Sequence, residues 1–296
     1  MLEFRIPEIN DRERACAALR SSGFQGAEYT FANNLAWYRL ADSKIAFFRD
    51  FYIVCSFTAY NGSPAFLFPA GKGDIRELFA EMRSFAEARG YPLRVYGAAK
   101  DSLDMLHGLF PGEFTAEPDR DNSDYIYRVS DLAQLPGRKY HGKRNHLARF
   151  RELEYEYAPI TDKNADECIV FLTQTYNGLD DKSDRGILAE QFAIDTFFRY
   201  FGVLGLKGGV ISCGGKTAAV TIGEPLNSDT FCVHIEKADT SYNGIYAGIN
   251  SYFVQSEMTG FEYVNREEDM GIEGLRKAKL SYHPAYLLEK YIITFR

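Results

Sequence analysis

TFCVHIEKADTSYNGIYAGINSYF, residues 230–253, contains the change of period that decides the fold. Residues 230–238 are dense in aromatic and β-branched side chains and read as a strand. Asp, Thr, Ser, Asn and Gly then gather over 239–244, which is turn material. Beyond them Tyr242, Ile245, Tyr246, Ile249 and Phe253 recur at helical spacing and share one face. Upstream, GVLGLKGGVIS (202–212), the turn CGGK (213–216) and TAAVTIGE (217–224) supply two more strands, with helices near 162–176 and 187–201 and the strand ELEYEYAPI (152–160) before them. Downstream come the strand FEYVN (261–265), a short helical segment around Leu275, and YLLEKYIITF (286–295).

Strand, two helices, three antiparallel strands, helix, strand, helix, strand is the element order of the GNAT acyltransferase fold. The first half repeats it in shortened form. Asn10 and Glu13 form a capping box for a helix that Gly23 ends. LAWYRL (35–40), KIAFF (44–48), FYIVCSF (51–57) and AFLFP (65–69) read as a meander, with Asp42-Ser43 and Asn61-Gly62 as turns. Asp74 and Glu77 cap a helix with Ile75, Leu78, Phe79, Met82, Phe85 and Ala86 on its apolar face. LRVYG (93–97), a helix at Ser102–His107 and DYIYRV (124–129) follow. The expectation is a mixed α+β chain of two tandem GNAT-like (acyl-CoA N-acyltransferase) domains, 1–135 and 136–296, each a mostly antiparallel sheet flanked by helices.

The 296 residues, 46% hydrophobic and 25% charged, suit a globular protein of one or two domains. No apolar run approaches the ~20 residues that span a bilayer, and the N-terminus lacks the pattern of a signal peptide. Five scattered cysteines without a CxxC pair fit reduced thiols and a cytoplasmic location. The net charge of −7 argues against a general nucleic-acid coat. Against that balance, GRKYHGKRNHLARFR (137–151) gathers six Lys or Arg and no acid. As a helix it aligns Tyr140, Leu147 and Phe150, with Lys143 inside this apolar stripe and Lys139 and Arg144 beside it. An ammonium on a core-facing side is costly unless it is paired or reaches a cleft. Lys139, Lys143 and Arg144 are therefore candidate phosphate contacts. The plainer alternative is a solvated face with its cations paired to the surplus acids.

The segment with Lys143-Arg144-Asn145-His146, together with HIEKADTSYNGIYAGIN (234–250) and NREEDMGIEGLRKAKLSYHP (265–284), resembles Fem-type aminoacyltransferases and the catalytic domain of phosphatidylglycerol lysyltransferases. The nearest resemblance is to a bacterial group named for that C-terminal domain. It implies two GNAT-like domains and transfer of an amino acid from charged tRNA to an amine or hydroxyl on a lipid head group, peptide or cell-wall precursor. It also implies that Lys279 steadies the oxyanion of the transition state.

On 230–238, alternation places His234 and Glu236 on one face and Lys237 on the other, so Glu236 could take a proton and His234 relay it. Tyr246 and Asn250, early in the next helix, complete that side of the expected substrate site. The loop 237–244 is a weak candidate for acyl-CoA pyrophosphate, because it holds only Gly244 and carries Asp239. In 265–284, Asn265 ends a strand, and Glu267, Glu268 and Asp269 could meet a donor's α-ammonium. Lys277 and Lys279 share a face if the segment is extended. No GxSxG, P-loop or GxGxxG follows a strand, and the five His show no HExxH spacing, so no metal or cofactor is expected. The alternatives are an acyl-CoA N-acyltransferase and a non-catalytic GNAT pair that binds a ligand or partner.

Overall fold

The computed structural model describes residues 2–60, 62–175 and 185–296. The chain divides into Met1–Asp124 with Leu288–Arg296, and Tyr125–Leu287. In the first unit α1 (Arg12–Ser22) ends at Gly23, whose φ of 66° is the left-handed conformation that stops helices. The capping box before it is Glu8 with Asp11, which accepts the Glu8 amide and closes the short turn Ile9–Asp11, rather than Asn10 with Glu13. α2 (Phe31–Trp37) follows, with the Thr30 hydroxyl capping the Asn33 amide. Most of LAWYRL therefore lies in a helix and its end, not in a strand. Phe31, Ala32, Leu35 and Ala36 are its buried residues, a helical spacing that a window opening at Leu35 does not see.

β1 (Ser43–Phe48), β2 (Phe51–Tyr60) and β3 (Ser63–Leu67) form the meander read from the sequence, although Asn61 lies outside the described residues. α3 (Ile75–Glu87) is capped by Asp74, and its buried face is Leu78, Phe79, Met82, Phe85 and Ala86. β4 (Arg94–Ala98), α4 (Lys100–Leu109) and β5 (Phe114–Pro118) complete the local order. The sheet runs β1-β2-β3-β4-β13-β5, so the chain's last strand, β13 (Tyr291–Phe295), sits between β4 and β5. Phe66, Phe79, Phe85, Phe110 and Phe295 fill the core beneath it.

The second unit takes β6 (Asp124–Arg128), because β6 pairs with β11 through Ile126–Asn265, Tyr127–Val264 and Arg128–Tyr263. This pairing moves the seam from the expected 135/136 to 124/125. α5 (Val129–Gln134), α6 (His141–Phe150), β7 (Tyr155–Pro159), α7 (Ala165–Gln174), α8 (Arg185–Arg199) and α9 (Phe201–Leu204) lead to β8 (Lys207–Cys213), β9 (Lys216–Pro225) and β10 (Thr230–Ala238). α10 (Ile245–Glu257), β11 (Tyr263–Asn265), α11 (Glu273–Leu280) and β12 (Tyr286–Leu288) close the unit. Its sheet runs β12-β6-β11-β10-β9-β8-β7; β10 meets β11 in parallel, and the pairs β6–β11, β10–β9, β9–β8 and β8–β7 are antiparallel. Among the described residues no helix is long and apolar enough to cross a membrane.

Candidate functional site

β10 pairs with β9 along nearly its whole length, but with β11 only at Thr230–Tyr263, Phe231–Val264 and Cys232–Asn265. Past Cys232 the two strands part. One residue of β10 is also left over, since Val233 lies opposite Gly223 and Ile235 opposite Ile222. The bulge falls at His234 and breaks the alternation. His234 and Lys237 therefore face α8, where His234 stacks on Phe197 and Lys237 pairs with Glu190 at 2.9 Å. Glu236 faces α10, where Asn250 Nδ2 lies 3.5 Å from its Oε2. The expected face shared by His234 and Glu236 is corrected by this single residue.

At the parting of the strands, Arg266 Nη2 donates to Glu236 Oε1 at 2.7 Å. The guanidinium lies 5.6 Å from the Tyr127 ring centroid and 4.8 Å from that of Tyr282. The Lys143 ammonium sits 3.7 Å from the centroid of the same Tyr282 ring. Among the described residues Arg266 Nη1 is buried without a hydrogen-bond partner. Lys279 donates its ammonium to the Arg266 carbonyl, and the Tyr127 hydroxyl donates to the Lys279 carbonyl at 2.8 Å. Arg266 thus pairs with the carboxylate, Lys143 shares the Tyr282 ring with it, and Lys279 holds the Arg266 backbone. Burial, with Arg266 next, lowers the Lys143 ammonium to about 8 against the pull of Glu236. Burial likewise raises the Tyr282 phenol to about 12 and keeps it neutral.

On the other face His234 is wholly enclosed. Its Nδ1 lies 2.9 Å from Glu267 Oε1, its Nε2 3.0 Å from Glu224 Oε1, and Cys232 Sγ 3.7 Å from Nδ1. Burial opposes the charged ring, but Cys232 and the two carboxylates outweigh it and raise His234 well above the ordinary range.

Several expected contacts have other work. Arg144 donates to the carbonyls of Leu135 and Gly137 at 2.5 and 2.7 Å, bracing the turn before α6. Lys139 is exposed, 3.8 Å from Asp131. Asn265 Oδ1 accepts the Glu267 amide at 2.7 Å. Asp269, fully buried, accepts from the Tyr125 hydroxyl at 2.6 Å and from Arg276 Nε and Nη2 at 2.9 Å, so it staples the turn and does not face a ligand. The Lys277–Lys279 segment is helical, and residues two apart on a helix point different ways; Lys277 is exposed. Tyr246 is partly exposed and takes a backbone hydrogen bond from Ala238. Gly244 of the candidate phosphate loop and Gly248, one turn into α10, pack on α6, against the His146 carbonyl and the Phe150 ring. Beside this loop an open cleft of about 820 Å³ is lined by residues of α7, the β8–β9 turn and the end of β10, including Glu167, Phe171, Lys216, Asp239 and Tyr242.

Arg266, Tyr127 and Tyr282 escaped the sequence reading. Arg266 stood in the quoted NREEDMG, directly after the strand that borders β10, and that position was the available signal.

A family model described as phosphatidylglycerol lysyltransferase, C-terminal, matches residues 20–294. A conserved protein of unknown function from Bacteroides thetaiotaomicron has a similar crystal structure, with TM-score 0.93, 36% identity and both chains covered in full. The structure of L-PGS from Bacillus licheniformis is similar at TM-score 0.66 and 16% identity, over 98% of this chain and 94% of that one. FemX is similar at TM-score 0.59 and 9% identity, over 98% and 96%. These last two likenesses speak for the fold, which is the mixed α+β pair of sheet-and-helix units expected from the sequence. The chain is also 23% identical over 177 residues to an uncharacterized protein of Mycoplasmoides gallisepticum, and the match spans 56% of that protein's length.

Proposed function

The chain belongs to the family of the phosphatidylglycerol lysyltransferase C-terminal domain, and from that membership we propose that it moves an amino acid from aminoacyl-tRNA to an amine or hydroxyl acceptor. The observation that carries the proposal is the Arg266–Glu236 pair where β10 and β11 part, with Lys143 beside Arg266 on the Tyr282 ring and Lys279 on the Arg266 carbonyl. The acceptor's nitrogen or oxygen attacks the ester carbonyl, and a carbon–nitrogen or carbon–oxygen bond forms. Glu236, held by Arg266 and Asn250, receives the acceptor's proton. Negative charge gathers on the carbonyl oxygen, where the unpartnered Nη1 of Arg266 and the Lys143 ammonium meet it. The ester bond to the ribose oxygen then breaks, and a proton returns to that oxygen. Lys279 matches the lysine assigned to the oxyanion by resemblance, but its ammonium engages a backbone carbonyl. Its part is to fix the end of β11 and so to aim Arg266. The acceptor is a small molecule, a peptide, a cell-wall precursor or a lipid head group.

The test is binding and turnover of tRNA charged with labelled amino acids, with acetyl-CoA run in parallel. Salt-sensitive binding of charged tRNA and loss of label from it are expected. Arg266→Met should slow that loss about 10²–10³-fold, the scale of one oxyanion donor. Binding of acetyl-CoA alone would make the protein an ordinary acyltransferase. Binding of neither would overturn the proposal.

A further inference from the structure

Independently of the transfer reaction, the structure assigns Cys232, His234 and Glu267 a second role: we infer that they bind one zinc-class divalent cation. Cys232 and His234 stand two apart on β10, and Glu267 reaches the same point from the turn after β11, at a positive φ of 58°. Their three ligand atoms lie within 4.8 Å of one another. Tetrahedral zinc with bonds of ~2.3 Å to sulfur and ~2.0 Å to nitrogen holds those two atoms roughly 3.5 Å apart. Cys232 Sγ and His234 Nδ1 are 3.7 Å apart. The Nδ1–Glu267 distance of 2.9 Å is that of a hydrogen bond and opens by a few tenths of an ångström when a metal replaces the proton.

The other ring nitrogen strengthens the assignment. Nε2 lies 3.0 Å from Glu224 Oε1 and donates its hydrogen there. A carboxylate behind the imidazole fixes the ring and its tautomer in many metal sites. It leaves Nδ1 to converge with Cys232 and Glu267, two acceptors that a single Nδ1 proton cannot serve equally. Phe197 lies flat on the ring, 5.5 Å between centroids at 16°, and Cys232 is fully buried, so these two ligands are held in a dry setting while Glu267 closes the site from its partly exposed side. Thiolate, imidazole and carboxylate together suit zinc better than magnesium or calcium, which take oxygen ligands. Binding releases two protons, from the Cys232 thiol and from Nδ1. Sequence spacing hides the site, since Glu267 stands 33 residues beyond His234.

The experiment is titration of reduced, chelator-treated full-length protein with Co²⁺, read by absorbance and by thermal melting. One equivalent should bind with a thiolate-to-cobalt charge-transfer band, Zn²⁺ should displace it, and Tm should rise with added Zn²⁺. Cys232→Ser should abolish the band, while Cys213→Ser should leave it intact. Absence of the band in the wild-type protein would overturn the inference, and this needs no variant to fold. A band that survives in Cys232→Ser would place the metal elsewhere and overturn it equally.

Discussion

Lys143 rests on Tyr282 beside another cation, and burial is what brings its ammonium down to about 8. Its charge therefore changes within a usable pH range. Donor binding should weaken as pH climbs through about 8, and Lys143→Arg should carry the fall to higher pH; filter binding of charged tRNA across pH checks this. The stability effect has a definite sign. The folded value lies below the unfolded 10.5, so the contribution is fully present above 10.5 and is lost as pH falls through about 8. Screening of this half-exposed side chain reduces it to about 1 kcal/mol. Urea unfolding of Lys143→Met should lack that rise. Arg266 and Glu236 form a largely buried pair, 13% and 11% exposed, so Arg266→Met should cost about 3 kcal/mol by leaving the carboxylate alone. Adding Glu236→Gln should recover much of it in a double-mutant cycle. Lys143 was legible in the sequence because it interrupts an apolar stripe. Arg266 was not, since no periodicity marks a lone arginine in a turn, and the opposed faces of His234 and Glu236 depend on a bulge that no pattern announces.

At the scale of elements, α10 lies on α6 through two glycines. A Cβ on Gly244 would stand 2.0 Å from the His146 carbonyl oxygen, at a φ of 81°. Gly214 has a similar left-handed backbone, φ 55°, with nothing near its Cβ position. Gly214→Ala should cost about 1 kcal/mol for backbone strain, and Gly244→Ala at least ~2 kcal/mol more, because a backbone atom cannot yield. Thermal melts of the two variants compare them directly; equal costs would mean that the helices separate easily. The strand–loop–helix of 230–253 was readable from its periods alone. The purpose of its glycines was not, because a glycine needed for a phosphate and one needed for a neighbouring helix look alike in sequence. α2 was misread because its first turn, Phe31 and Ala32, lay outside the window that held LAWYRL.

At the scale of the whole molecule, Lys290 joins distant parts of the first unit. It is 2% exposed, with Glu28 Oε1 at 2.5 Å and Asp124 Oδ1 at 2.7 Å. Lys290→Met should destabilise by about 3–5 kcal/mol in urea, since two carboxylates lose their cation. The tandem plan was legible because each half carries its own strand and helix periods. The exchange of β6 and β13 was not, because chain proximity assigned DYIYRV to the first half and YLLEKYIITF to the second, whereas pairing across the sheets decides membership. This placement of β13 governs how the protein is born. On the ribosome β4 and β5 emerge with a gap between them that β13, at Tyr291–Phe295, fills later. At ~5–20 residues per second, translation from β5 to β13 takes about 10–35 s. Throughout that interval β4 presents an unpaired edge, and a nascent chain with an open edge is what holdase chaperones bind.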